Sequence, residues 1–151
     1  MSRNGRRTLI FESSDLCSKK ISKINCRVIS KGFARGRAIV SSEPISFYGG
    51  IDPETGIVIE KRHCLEGKSI AGKILVFPTG KGSTVGSYIL YRLKKNGKAP
   101  LAIINSEAEP IVAVGAIISE IPMVDKAGSE MNGIKDGDEI IVDANKGVIV
   151  I

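Results

Sequence analysis

Pro78-Thr79-Gly80-Lys81-Gly82-Ser83-Thr84-Val85-Gly86-Ser87 joins two runs of opposite periodicity. Before it, Ile74-Leu75-Val76-Phe77 is uninterrupted apolar sequence, as expected of a strand covered on both faces. After it, residues 85–95 place Val85, Ile89 and Leu93, with Gly86 and Leu90 beside them, on one helical stripe. Lys94, Lys95 and Lys98 suit the negative end of that helix, and Gly97 stops it. Leu101-Ala102-Ile103-Ile104 then reads as another buried strand. Strand, helix and strand in this order predict a parallel pair with a helical crossover.

Outward from this unit the chain is rich in strands. Extended segments are expected at 27–30, 36–41, 44–47, 57–59, 72–77 and 123–124. Residues 139–142 and 148–151 form an expected hairpin around Asp143-Ala144-Asn145-Lys146-Gly147. Residues 111–118 are so apolar that periodicity leaves strand and short helix equally open. The expected fold class is α/β: β-rich, with one prominent helix after the Gly-Lys-Gly-Ser loop. Residues 1–25 carry six basic and two acidic side chains and read as a basic extension, so the folded domain is expected over 26–151.

Most of the net charge of +6 therefore sits in the extension, and the rest of the chain is nearly balanced. No basic stripe with interleaved aromatics is present, which argues against nucleic acid as the partner. No apolar run reaches the roughly 18 residues of a membrane span, and no secretory signal pattern is visible, so a cytoplasmic protein is expected. Cys17, Cys26 and Cys64 match no zinc or iron–sulfur spacing, and this chain alone is expected to bind no metal cluster. His63 is the only histidine, which removes any two-histidine metal site.

The 80–84 loop holds the chemistry. Gly80 and Gly82 let a ligand come close to the backbone, Ser83 and Thr84 offer N–H groups at a helix start and can cap it, and Lys81 adds positive charge. Such a place suits a phosphate or carboxylate and lowers the pKa of a hydroxyl. It is not a Walker A loop, because its lysine precedes the second glycine. A plain helix cap with a tight turn is the competing reading of the same residues. Asp52, in Gly49-Gly50-Ile51-Asp52-Pro53, is a candidate substrate contact or a surface turn.

Three segments in succession are more specific than any one alone. They are the loop from Tyr48 to Gly56, the stretch from His63 to Lys73, and Val76 through the serine loop to Tyr88. Together they resemble the small subunit of the aconitase X type dehydratases, over about residues 26–151, most closely the phosphomevalonate-dehydrating type known from archaea. Cys64 departs from the pattern, which usually has proline after the histidine.

The resemblance implies a swivelling β/β/α domain that works with a large subunit carrying a 4Fe-4S cluster, whose open iron would act on the leaving hydroxyl. It implies loss of water from (R)-5-phosphomevalonate to give trans-anhydromevalonate 5-phosphate, in the archaeal mevalonate route to isoprenoids. It also implies that Ser83 takes the proton, with Gly80, Lys81, Gly82, Thr84 and Asp52 around the substrate. Two alternatives stay open: dehydration of another hydroxy acid, such as a hydroxyproline isomer, and a non-catalytic swivelling or interaction domain. The C-terminal pattern is also similar to a phosphohistidine domain, but the histidine that domain needs ahead of Ile117-Ile118 is missing.

Overall fold

A computed structural model describes residues 22–151. Eight strands lie among the described residues: β1 (Lys23–Asn25), β2 (Arg27–Ser30), β3 (Phe33–Val40), β4 (Ile74–Phe77), β5 (Ala102–Asn105), β6 (Met123–Asp125), β7 (Glu139–Asp143) and β8 (Val148–Val150). Two α-helices, α1 (Gly86–Lys95) and α2 (Pro110–Ile118), follow β4 and β5, and a 3-10 turn spans Gly128–Gly133. The eight strands form one sheet in the order β1-β8-β7-β3-β4-β5-β6-β2. From β3 to β6 the neighbours are parallel, and the other pairings are antiparallel.

The two end strands, β1 and β2, are consecutive in the chain with only Cys26 between them. The sheet therefore closes on itself, which leaves no long free edge. At the junction the Cys26 N–H donates to the Gly147 carbonyl at 3.0 Å. Gly147 is needed there: a Cβ would lie 2.8 Å from the Cys26 oxygen.

Alternation along the strands builds two cores. Ile74 and Val76 of β4, Ala102 and Ile104 of β5, and Val124 of β6 pack with Ile24, Ile140, Val142 and Ile149 inside the closed sheet. Leu75, Phe77, Ile103 and Met123 point the other way, onto Ile89, Leu90 and Leu93 of α1 and Val112 and Ala116 of α2. Strands β4 and β5 are buried at every position, but β5 ends on the polar Asn105, and Leu101, expected in the same buried strand, lies outside it and is exposed.

Helix α1 ends as its sequence demands. The Lys98 N–H reaches Leu93 O at 2.8 Å and the Gly97 N–H reaches Lys94 O at 3.1 Å, with Gly97 at φ +71°. The apolar run 111–118 resolves as α2, because Glu109 and Pro110 start a helix. The Glu109 carboxylate accepts from the Ile111 and Val112 N–H groups at 2.9 and 3.1 Å, and proline stands at the first helical position.

Four expectations change. The folded domain reaches back beyond residue 26: β1 pairs with β8, and Ile24 is core. The other residues of the expected extension, 1–21, lie outside the described residues. The segment 44–47 makes only an isolated bridge, Ile45 to Gly80, and 57–59 only bridges to Ile51 and Ser69. Neither Ser83 nor Thr84 caps α1; Val85 takes the N-cap position with no side-chain cap.

Candidate active site

The serine loop leaves the C-terminal end of β4, where an α/β sheet commonly binds ligands. It is stitched to the segment after β3 by two hydrogen bonds, Ile45 N–H to Thr79 O at 3.2 Å and Lys81 N–H to Ile45 O at 3.0 Å. Gly80 lies buried beneath, where a Cβ would sit 2.7 Å from Glu109 Oε1, so the α2 cap presses directly on the loop. Gly82 has φ +97° and packs over Ser46, leaving no space for a side chain. Gly82 is demanded by the backbone path, and Gly80 by its packing against the Val112 and Glu109 side chains, whether or not a ligand binds.

Ser83 then opens a tight turn into α1, with the Gly86 N–H on Ser83 O at 2.9 Å. Ser83 is half-buried, and its Oγ accepts the Val85 N–H at 3.1 Å. An N–H aimed at Oγ favours the deprotonated hydroxyl. Among the described residues, the N–H groups of Gly82, Ser83 and Thr84 reach no protein acceptor, so they remain available to an anion.

Beside this turn lies an open depression of about 350 Å³, lined by Ser46, Tyr48, Gly50, Glu60, Lys81 and Gly82. Lys81 Nζ meets Glu60 Oε2 at 2.9 Å across it. Ser46 Oγ donates to Tyr48 O at 2.8 Å and shapes the wall. Of the residues singled out by sequence, Lys81 and Gly82 line the depression, Ser83 follows directly, and Thr84 is exposed on the turn. Asp52 does not line it; its carboxylate accepts the Glu54 N–H at 2.9 Å and orders the 52–56 turn.

Ser46 and Glu60 carry no sequence signal of their own. His63 is structural: Nδ1 accepts the Leu65 N–H at 3.0 Å, so Nε2 carries the proton and donates to Pro44 O at 3.0 Å.

Behind the site stands a buried charge. Asp125, fully buried at the end of β6, accepts from Arg27 Nε and Nη2 at 2.8 Å each and from the Ala108 N–H at 2.7 Å. Burial works to raise its pKa, but the Arg27 and Ala108 hydrogen bonds win and hold the carboxyl below its usual range. The Ala108 bond fixes the turn into Glu109, and Glu109 packs on Gly80.

Burial, and then the Asp125 charge, push the Cys26 thiol up to about 11, so the free thiol stays protonated at neutral pH. Among the described residues, no group of three or more His, Cys, Asp or Glu side chains could hold a metal ion. The described part of this chain does not fit an iron–sulfur cluster. No helix among the described residues is long and apolar enough to cross a membrane.

Comparison with known proteins adds to this geometry. The chain is 61% identical over 128 residues to the phosphomevalonate dehydratase small subunit of Methanosarcina acetivorans, covering 84% of this chain and 89% of that protein. It is 59% identical over 128 residues to the protein of the same name from Methanosarcina mazei, with the same coverage. Among solved structures, Thermococcus kodakaraensis aconitase X in its holo form superposes with a TM-score of 0.82 at 57% identity, over 86% of this chain and 98% of that one. The family profile described as the aconitase X swivel domain matches residues 23–151, starting at the first residue of β1. On this match, this fold and these relatives, the chain belongs to the aconitase X swivel domain family.

Proposed function

We propose that this chain is the small subunit of a hydro-lyase that removes water from (R)-5-phosphomevalonate to give trans-anhydromevalonate 5-phosphate, with Ser83 as proton acceptor. The substrate comes from the names of the relatives, which are phosphomevalonate dehydratase small subunits. The observation that carries the residue assignment is Ser83 Oγ, held at the head of α1 by the Val85 N–H beside an open depression.

The reaction breaks a C–H bond beside the substrate carboxylate and a C–O bond on the next carbon. The C–H electron pair becomes the new double bond, the proton goes to Oγ, and hydroxide leaves. A serine is a weak base unless its alkoxide is stabilised. The Val85 N–H and the positive end of α1 supply that stabilisation. On this reading the N–H groups of Gly82, Ser83 and Thr84, which meet no acceptor among the described residues, receive an anionic substrate group together with the Lys81 ammonium, which exchanges its Glu60 partner for it. Gly80 sets the loop's close packing, and Asp52 orders the neighbouring turn.

The depression is open, so a second body must cover it to exclude water. On this reading that body is the large subunit, and the iron–sulfur cluster implied by the resemblance belongs to it. The test is anaerobic purification of this chain with its large subunit and an assay of water loss from 5-phosphomevalonate. Product that requires both chains is expected. Turnover by this chain alone would refute the division of labour. A stable, inactive pair would point to another hydroxy acid.

A further inference from the structure

Helix α2, Pro110-Ile111-Val112-Ala113-Val114-Gly115-Ala116-Ile117-Ile118, contains no charged or hydrogen-bonding side chain. A helix that is apolar all round belongs in a buried place. Yet only Val112, Gly115 and Ala116 are buried. Val114, Ile117 and Ile118 are exposed to 49%, 54% and 57%.

Helix α1 continues the patch. Gly115 packs against Leu90 and Ser87, and Ser87 Oγ donates to Ile111 O at 2.6 Å. Tyr88 and Tyr91 are each the next residue along from this contact, and Val114 and Ile118 lie beside it on α2. The exposed side chains therefore border the crossing from both sides. Val85, also exposed, carries the patch along α1 to the Ser83 turn. Tyr48, which lines the depression, lies beside the start of α1, with its backbone N 4.0 Å from the point a Gly86 Cβ would occupy.

We propose that this outer face of α1 and α2 is the docking surface for the large subunit. The inference rests on the two-subunit reading above and adds where the partner sits. Any body that closes the depression must lie over Tyr48, and Tyr48 sits beside the start of α1, where the exposed Val85 begins the apolar face. Aromatic and aliphatic side chains at its centre, with Arg92, Lys94 and Lys95 at one end, match the anatomy of a protein interface. A second copy of this chain on the same face would present another Ser83 loop and nothing the site lacks.

The test uses Ile118→Asp and Tyr88→Asp in the full chain, titrated against the purified large subunit. Phe33→Asp is the control; Phe33 is equally exposed, but on β3 and on neither helix. Ile118→Asp and Tyr88→Asp should each weaken association by about 30-fold or more, as for interface hot spots, with the melting temperature of the free chain unchanged. Phe33→Asp should associate as the wild type does.

Wild-type affinity in both helix variants would overturn the inference, and with an active wild-type pair would leave the dehydratase reading standing. A wild-type complex that is inactive on 5-phosphomevalonate but broken by both variants would keep the docking face and overturn the substrate. A self-dimer through this face that excludes the large subunit would overturn the choice of occupant. Failure of the wild-type chains to associate would overturn both readings.

Discussion

Gly115→Ala tests whether the close helix crossing holds α1 in place. The added Cβ would lie 2.8 Å from Leu90 Cδ1, 3.1 Å from Ser87 Cα and 3.3 Å from Leu90 Cβ. Leu90 is fully buried, and the Ser87 contact is backbone, so α1 must shift to make room. Overpacking of this kind costs about 1–3 kcal/mol. Replacing a helical glycine by alanine returns about 1 kcal/mol. The net expectation is a loss of about 1 kcal/mol, or a melting temperature lower by about 4 °C for a domain of this size. Thermal unfolding followed by far-ultraviolet circular dichroism reads it. Gly133→Ala is the control: its Cβ meets nothing within 4 Å and its φ is not positive, so stability should stay within about 0.5 kcal/mol. A Gly115→Ala protein as stable as the wild type, or more so, would show that the helices separate freely. The crossing would then not fix the start of α1 or the Ser83 turn.

Arg27→Ala leaves the Asp125 carboxylate buried with only the Ala108 N–H, and should cost about 2 kcal/mol at pH 7 in urea unfolding. Because the folded Asp125 has a lowered pKa, its contribution is present above the usual carboxylate range and is lost as pH falls through the folded value. The gap between wild type and variant should therefore narrow at pH 3, and an equal gap at both pH values would contradict the assignment. Gly82→Ala forces a side chain into φ +97° and against Ser46, and should destabilise by about 1–2 kcal/mol while lowering turnover of the assembled enzyme. Glu60→Gln should change stability by less than about 0.5 kcal/mol, since the pair is solvent-exposed, but should alter KM more than kcat if Lys81 receives the substrate's anionic group.

The parallel unit was legible in the sequence because its parts have opposite periodicities. The run Ile74–Phe77 is too short for a helix and bounded by the Pro78 turn, so it reads as a doubly covered strand, and the Val85–Ile89–Leu93 stripe reads as a helix. Helix α2 was not legible, since nine apolar or small residues give no periodicity; only Glu109 and Pro110 distinguish helix from strand. Strand β1 was missed because Lys23-Ile24-Asn25 has a single apolar residue, and its place depends on pairing with β8 more than a hundred residues away.

At the site, the loop's glycines and hydroxyls were readable. Their partners were not. The Gly82–Ser46 packing, the Lys81–Glu60 pair and the pressure of Glu109 on Gly80 are all made by the fold. The expectation that Ser83 or Thr84 caps α1 changed for a local reason: Ser83 Oγ takes the Val85 N–H ahead of the helix.

The most direct test of the account is turnover of 5-phosphomevalonate by the Ser83→Ala chain assembled with its large subunit. Loss of a proton acceptor should lower kcat by about 10²–10⁴-fold, with assembly and melting temperature unchanged. Turnover close to wild type in that complex would contradict the assignment of Ser83.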